Sequence, residues 1–229
     1  MPASATGVLK INPATQVIEV LEEGMFEEGS WKWHGGLASH DGRKIIGFPN
    51  NADSVLVIDV EAQRIYTVGD GSVLRSGSHR VPYDGRYKYL GGALTRDGRY
   101  AYLFPCDAER VLRFDMRTDE LALVGPRLRE GPNKFQNGFC GRDGCVYGIP
   151  QTSSGVLRIV PPGVERYDGD GNSLPSDSEN VDVMYCGDDV VACKDKMEGG
   201  VLGADGRIYC IPLRAKQFVS VLPRDKTTY

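Results

Sequence analysis

The sequence predicts an all-β protein assembled from repeated four-stranded antiparallel units. The first observation behind this is a phrase that occurs four times: KWHGGLASHDGRKIIGFP (32–49), KYLGGALTRDGRYAYLFP (88–105), KFQNGFCGRDGCVYGIP (134–150) and KMEGGVLGADGRIYCIP (196–212). The second is that each phrase runs into another, as in SVLVIDVEAQRIYTV (54–68) and RVLRFDMRTDELALV (110–124). Self-similarity at a spacing of tens of residues marks a repeat architecture. The third is the texture of the apolar runs. They are short, rich in Val, Ile, Leu, Tyr and Phe, and bounded by turn residues, and none is an amphipathic stretch of helix length.

Each element of the unit has a local reason. WHGGLAS reads as a first strand, with hairpins expected to begin near residues 33, 89, 135 and 197. Asp-Gly at 41–42, 97–98, 143–144 and 205–206 closes each hairpin, because Gly accepts positive φ at no steric cost. The second strand ends at Pro49, Pro105, Pro150 or Pro212, since Pro has no N–H for a ladder. A loop leads to a third strand, and turns such as DVEAQ and DMRTD lead to a fourth. Leu37, Ile45, Val55 and Ile58 are the expected core positions of the first complete unit. The Gly pair removes side chains where neighbouring first strands crowd together. No Gly-rich phosphate loop motif occurs in the chain.

The ends and insertions have their own reading. PASATGVLKINPATQVIEV (2–20) matches PNNADSVLVIDVEAQRIYTV (49–68) in order, with Pro2 in the place of Pro49. The chain is therefore read as one repeat domain, 1–229. Its units are 1–24 (partial), 32–70, 88–126, 134–192 (with an insertion) and 196–224 (partial). Residues 69–87 and 163–195 interrupt the period. VDVMYC and DVVAC, within the second interruption, are expected to replace the fourth strand of the third unit.

Strand, Asp-Gly, strand, loop, VLxID, turn, strand: this order resembles the β-propeller superfamily, in particular the blade grammar of WD-repeat, YVTN-type and gluconolactonase-type propellers. No Trp-Asp dipeptide or Asp-box selects a subfamily. The resemblance implies four to five blades, and the strand count leaves two readings: an incomplete ring whose end sheets expose edges and apolar faces, or a small irregular ring with one strand spare. It also implies that both insertions enter a first strand on the top face, and long loops on a rigid scaffold are where function concentrates.

Candidate functional residues follow from the repeat frame. Lys32, Lys88, Lys134 and Lys196 recur once per unit at the mouth of the first strand. Converging on one axis, they would hold an anion or an acidic peptide; separately, they are strand-edge lysines. Two positions on, the residue varies: His34, Leu90, Gln136, Glu198. His34, Gln136 and Glu198 are the candidates for writing a ligand preference there. Asp168, Asp170, Asn172 and Glu179 follow the spacing of a calcium loop, but Ser173 stands where Gly is expected and Pro175 interrupts it. The same residues read as a solvated loop, the reading that the missing Gly, Pro175 and the lack of flanking helices favour. Calcium is thus the one cofactor considered.

Composition narrows the remaining classes. The chain has 229 residues, is 41% hydrophobic and 25% charged, and carries a formal net charge of -4. No basic field points to nucleic acid, and no apolar run reaches membrane-helix length. MPASATGVLKI lacks the basic and apolar parts of a signal peptide, so a cytoplasmic or organellar interior is expected. Six cysteines without CxxC spacing suggest neither zinc nor a disulfide scaffold, and Cys140 and Cys145 are read as reduced. No serine-hydrolase or zinc-protease motif is present. The leading expectation is a non-catalytic interaction or scaffold domain, presenting its top face to a protein or anionic partner. A metal-dependent hydrolase of gluconolactonase type is the alternative, and a carbohydrate-binding propeller the third.

Overall fold

A computed structural model describes residues 1–74, 86–128, 131–167, 172–174 and 179–223. A two-stranded sheet opens the chain, β1 (Val8–Asn12) with β2 (Val17–Leu21). The first complete sheet is β3 (Trp33–Ala38), β4 (Lys44–Pro49), β5 (Val55–Asp59) and β6 (Arg64–Val68). The second is β7 (Tyr89–Leu94), β8 (Tyr100–Pro105), β9 (Val111–Asp115) and β10 (Leu121–Val124). The third begins with β11 (Phe135–Cys140), β12 (Val146–Pro150) and β13 (Gly155–Val160). A small ladder, β14 (Arg166–Tyr167) with β15 (Ser173–Leu174), precedes its outermost strand, β16 (Asn180–Tyr185). After one helical turn, α1 (Asp188–Val191), a three-stranded sheet follows: β17 (Met197–Leu202), β18 (Ile208–Pro212) and β19 (Val219–Val221). Every pairing is antiparallel between neighbours in the unit, as a propeller blade requires.

The four hairpins begin at Trp33, Tyr89, Phe135 and Met197, where the repeat places them. Gly42, Gly98, Gly144 and Gly206 all have positive φ, between 69° and 82°. At 163–192 the expectation needs correction. The segment 180–185 is indeed the fourth strand of its sheet, but DVVAC (189–193) adds no strand: a helical turn covers 188–191. Val55 is fully buried, whereas Leu37, Ile45 and Ile58 are only half-buried.

The Gly pair does more than relieve crowding. In all four hairpins the first strand holds one extra residue between the first pairing and the second Gly, a β-bulge. Gly35, Asn137 and Gly199 in these bulges have positive φ. The second Gly is a hole. A Cβ on Gly92 would lie 3.1 Å from the Phe48 ring, on Gly138 2.5 Å from Phe104, and on Gly200 2.6 Å from Ile149. Met1 Cε sits 3.1 Å from the same position on Gly36. So the residue before each unit's Pro is a knob that enters the next unit's hole, and Met1 belongs to that series as the Pro2–Pro49 match requires.

The cores lie between successive sheets. Ile46, Phe48, Val55 and Val57 pack forward against Leu103, Leu112 and Phe114. Tyr102, Phe104 and Val111 pack forward against Phe135, Leu157 and Ile159. Val8, Trp33, Leu56 and Ile65 join the opening sheet to the first complete one. Close-packed apolar faces of this kind supply most of a domain's stability.

Candidate functional site

The repeated lysines form a latch. The N–H of Lys32, Lys88, Lys134 and Lys196 donates to the carbonyl after the preceding unit's Pro: Ala3, Asn50, Cys106 and Gln151, at 2.7–3.0 Å. Their own carbonyls accept from the residue after their own unit's Pro: Asn50, Cys106, Gln151 and Leu213. Trp31, Tyr87, Asn133 and Asp195, just before each lysine, all have φ between 50° and 57°. Asn133 and Asp195 belong to the residue types that tolerate this conformation, but Trp31 and Tyr87 do not, so composition at this position gives no uniform signal.

The ammonium groups complete the latch. Lys134 Nζ donates to the carbonyls of Cys106 at 3.0 Å and Gly131 at 3.2 Å. Lys196 Nζ donates to Thr152 and Cys193. Lys88 is fully buried and 3.6 Å from Asp53. Lys32, half-buried, reaches Gly29 at 3.4 Å. The buried Lys134 and Lys196 ammonium groups thus each face one carbonyl of the preceding blade and one of their own loop. Desolvation demands local acceptors, and the chain supplies them.

The variable positions beside the bulge stay accessible. His34 and Gln136 are half-buried and Glu198 is exposed. The His34 ring lies 5.1 Å from that of Trp31. Of the calcium-loop residues, Asp168 and Asp170 lie outside the described residues, and Asn172 is exposed. The Glu179 carboxylate is already engaged. It accepts from Arg113 at 3.0 Å and from the Tyr102 hydroxyl, whose pKa burial and this carboxylate push up. Among the described residues no three of His, Cys, Asp and Glu stand together for a metal. All six cysteines are free, and burial pushes the Cys106, Cys145 and Cys210 thiols up to about 12, so they are poor nucleophiles.

A different ring appears at the hairpin tips, from the residue before each Asp-Gly. His40 packs on Gly98, Arg96 donates to the carbonyl of Arg142, and Arg142 packs on Gly206 and donates to the carbonyl of Pro223 at 2.9 Å. They line a shallow cavity of about 370 Å³ with Cys140 and Leu202. The contacts run from tip to tip, like the knobs.

The most conspicuous surface is at the two ends. β1–β2 has two faces by register. Val8 and Leu21 pack toward the first complete sheet, while Leu9, Ile11, Ile18 and Val20 point the other way. Leu9 is 58% exposed, yet its equivalent Leu56 is fully buried. On the last sheet the contrast repeats. Ile211 is 48% exposed, against 5% for Phe48, 0% for Phe104 and 1% for Ile149. Val201 and Phe218 are exposed beside it, with the Phe218 ring 5.9 Å from Tyr209. Among the described residues the opening and closing sheets share no ladder. Sequence reasoning anticipated such faces as the consequence of an incomplete ring.

No protein-family model matches the chain, and no curated protein matches it. Solved structures do. A streptogramin B lyase superposes with a TM-score of 0.61 at 10% identity, over 100% of this chain and 66% of its own. A putative 6-phosphogluconolactonase from Bacteroides uniformis gives 0.54 at 15% identity, over 96% and 60%. The calcium-binding protein regucalcin from Agrobacterium tumefaciens gives 0.50 at 13%, over 93% and 64%. The chain thus spans less than two thirds of the length of each. At these identities the likeness is one of fold, and that fold is the β-propeller.

Proposed function

We propose that this part-ring β-propeller is a non-catalytic interaction module that binds protein through the open faces of its end sheets. The observation that carries the reading is the exposure of Leu9, Ile11, Ile18 and Val20, four contiguous apolar side chains on one sheet face. Their equivalents Leu56 and Ile58 are buried and half-buried by a neighbouring sheet. A contiguous exposed apolar patch on a rigid scaffold marks an interaction surface. Replacing Ile18 with Lys tests it. Wild-type protein should self-associate or bind an apolar dye, and Ile18→Lys should do so much less at unchanged circular dichroism. Wild-type protein that sediments as a monomer and binds no dye would remove the reading.

The hydrolase alternative is supported by the likeness in fold to the putative 6-phosphogluconolactonase and to calcium-binding regucalcin. Those activities belong to those proteins. Here Asn137 and Glu198 lie on the first strands of successive sheets, and among the described residues no three of His, Cys, Asp and Glu stand together. Calcium titration, with Asp168→Ala and Asp170→Ala as controls, decides whether the second insertion holds the ion.

A further inference from the structure

The end sheet says more about its occupant than that it is apolar. Resting on the interaction reading above, we propose that the face of β17–β19 docks another propeller blade, supplied by a complementary segment. The first strand of that blade carries the pattern Lys-x-x-Gly-Gly or a close variant.

Three repeated features specify this partner. The knob comes first. Met1, Phe48, Phe104 and Ile149 each stand over a second Gly of the following first strand. Ile211 occupies the same register position, and half of its surface is open. Only a residue without Cβ accepts these knobs, because the hole is bounded by backbone. At Gly138 and Gly200 a Cβ would lie 2.0 Å and 2.5 Å from a carbonyl oxygen of the same hairpin. Next is the latch. The carbonyls of Ala3, Asn50, Cys106 and Gln151 each accept from the next unit's lysine N–H. Leu213 is their equivalent, and among the described residues no lysine N–H donates to its carbonyl. Last is the edge. Among the described residues β19 pairs with β18 alone, whereas β5, β9 and β13 in the same position each carry a fourth strand.

A second copy of the chain does not meet this specification. Its opposite open face is β1–β2, which correspond to third and fourth strands and bring neither a glycine hole nor a latch lysine. Charge does not select the partner either. Val201, Tyr209, Ile211 and Phe218 are apolar or aromatic, so recognition rests on shape and on two backbone features.

The test extends the chain after Leu222 with a second copy of residues 116–160, which supplies a turn, a fourth strand, the Lys134 latch and the Gly138 hole. The reporter is Ile211→Cys, with alkylation at that position followed by peptide mass spectrometry. In the unextended chain the introduced thiol should react like an exposed one. In the extended chain the rate should fall at least tenfold, and Gly138→Phe in the appended copy should restore it. An extended protein whose introduced thiol stays fully reactive overturns the proposal, including by failure of the appended copy to fold on this face. A thiol already protected in the unextended chain, with a dimer in sedimentation, overturns it in favour of a second copy. Ile18→Lys probes the opposite face, so failure of the general interaction reading and failure of this one are separable.

Discussion

At the scale of single residues, Glu179 and Lys134 are both held by partners within the fold. Glu179 arrives from the second insertion and is held by Arg113 and Tyr102 of the second complete sheet. Arg113 also stacks on Tyr100, 4.8 Å from the ring centroid. Glu179→Gln should cost about 1–3 kcal/mol in urea unfolding, because it leaves a largely buried guanidinium short of its partner. If Glu179 were instead a calcium ligand, the cost would appear only with calcium present. Lys134→Met should cost a similar amount, about 1–3 kcal/mol, since the Gly131 carbonyl loses its ammonium donor and the buried Cys106 carbonyl keeps only the Lys134 N–H. An affinity for polyanions that fell in this variant at unchanged stability would return the lysine to a binding role. Spacing could locate these residues. Whether an ammonium faces solvent or a carbonyl depends on how the next blade sits, and repeat spacing alone does not encode that.

At the scale of the element, the first-strand bulge and the knob are one device. The extra residue lets the strand turn its second Gly toward the previous blade's knob. Gly138→Ala should therefore destabilise by about 1–3 kcal/mol, through contact with both the Tyr147 carbonyl and the Phe104 ring. For a chain of this size that lowers the thermal midpoint by roughly 2–4 °C per kcal/mol. A midpoint within a degree of wild type would show that the hole is roomier than its geometry implies. The Asp-Gly turn was readable because the chemistry is local. The bulge was only half readable, because Asn137 takes a positive φ where Gly stands in the other three units, and of those only Gly35 and Gly199 share it.

At the scale of the whole molecule, polar pins between blades bear on pH. Tyr66 donates to Asp119, which also pairs with Lys44 at 2.5 Å, tying the first complete sheet to the second. Burial, then the Asp119 carboxylate, pushes the Tyr66 pKa up to about 12. The folded state therefore keeps a proton that the unfolded chain releases near pH 10. This contribution is fully present below pH 10 and is lost as pH rises toward 12. Tyr66→Phe should flatten that part of the alkaline stability profile, and superimposable midpoint-against-pH curves would assign the pH dependence to other groups. Tyr102 and Tyr147, also raised by burial, add in the same direction.

The chain by itself determined the repeat, the hairpin positions, the turn glycines and the Pro that ends each second strand. All of these rest on local sterics and on periodicity within a few residues. It also determined that the first segment stands in the place of a third and fourth strand, through the Pro2–Pro49 match. Only the tertiary structure decided that the lysines are latches, that Glu179 is a pin, and that residues before each lysine adopt positive φ. Those outcomes depend on which carbonyl or guanidinium the neighbouring blade brings within 3 Å. The same dependence explains the exposed ends. Phe104 and Ile211 occupy the same place in the repeat, and only the presence of a following blade makes one core and the other surface.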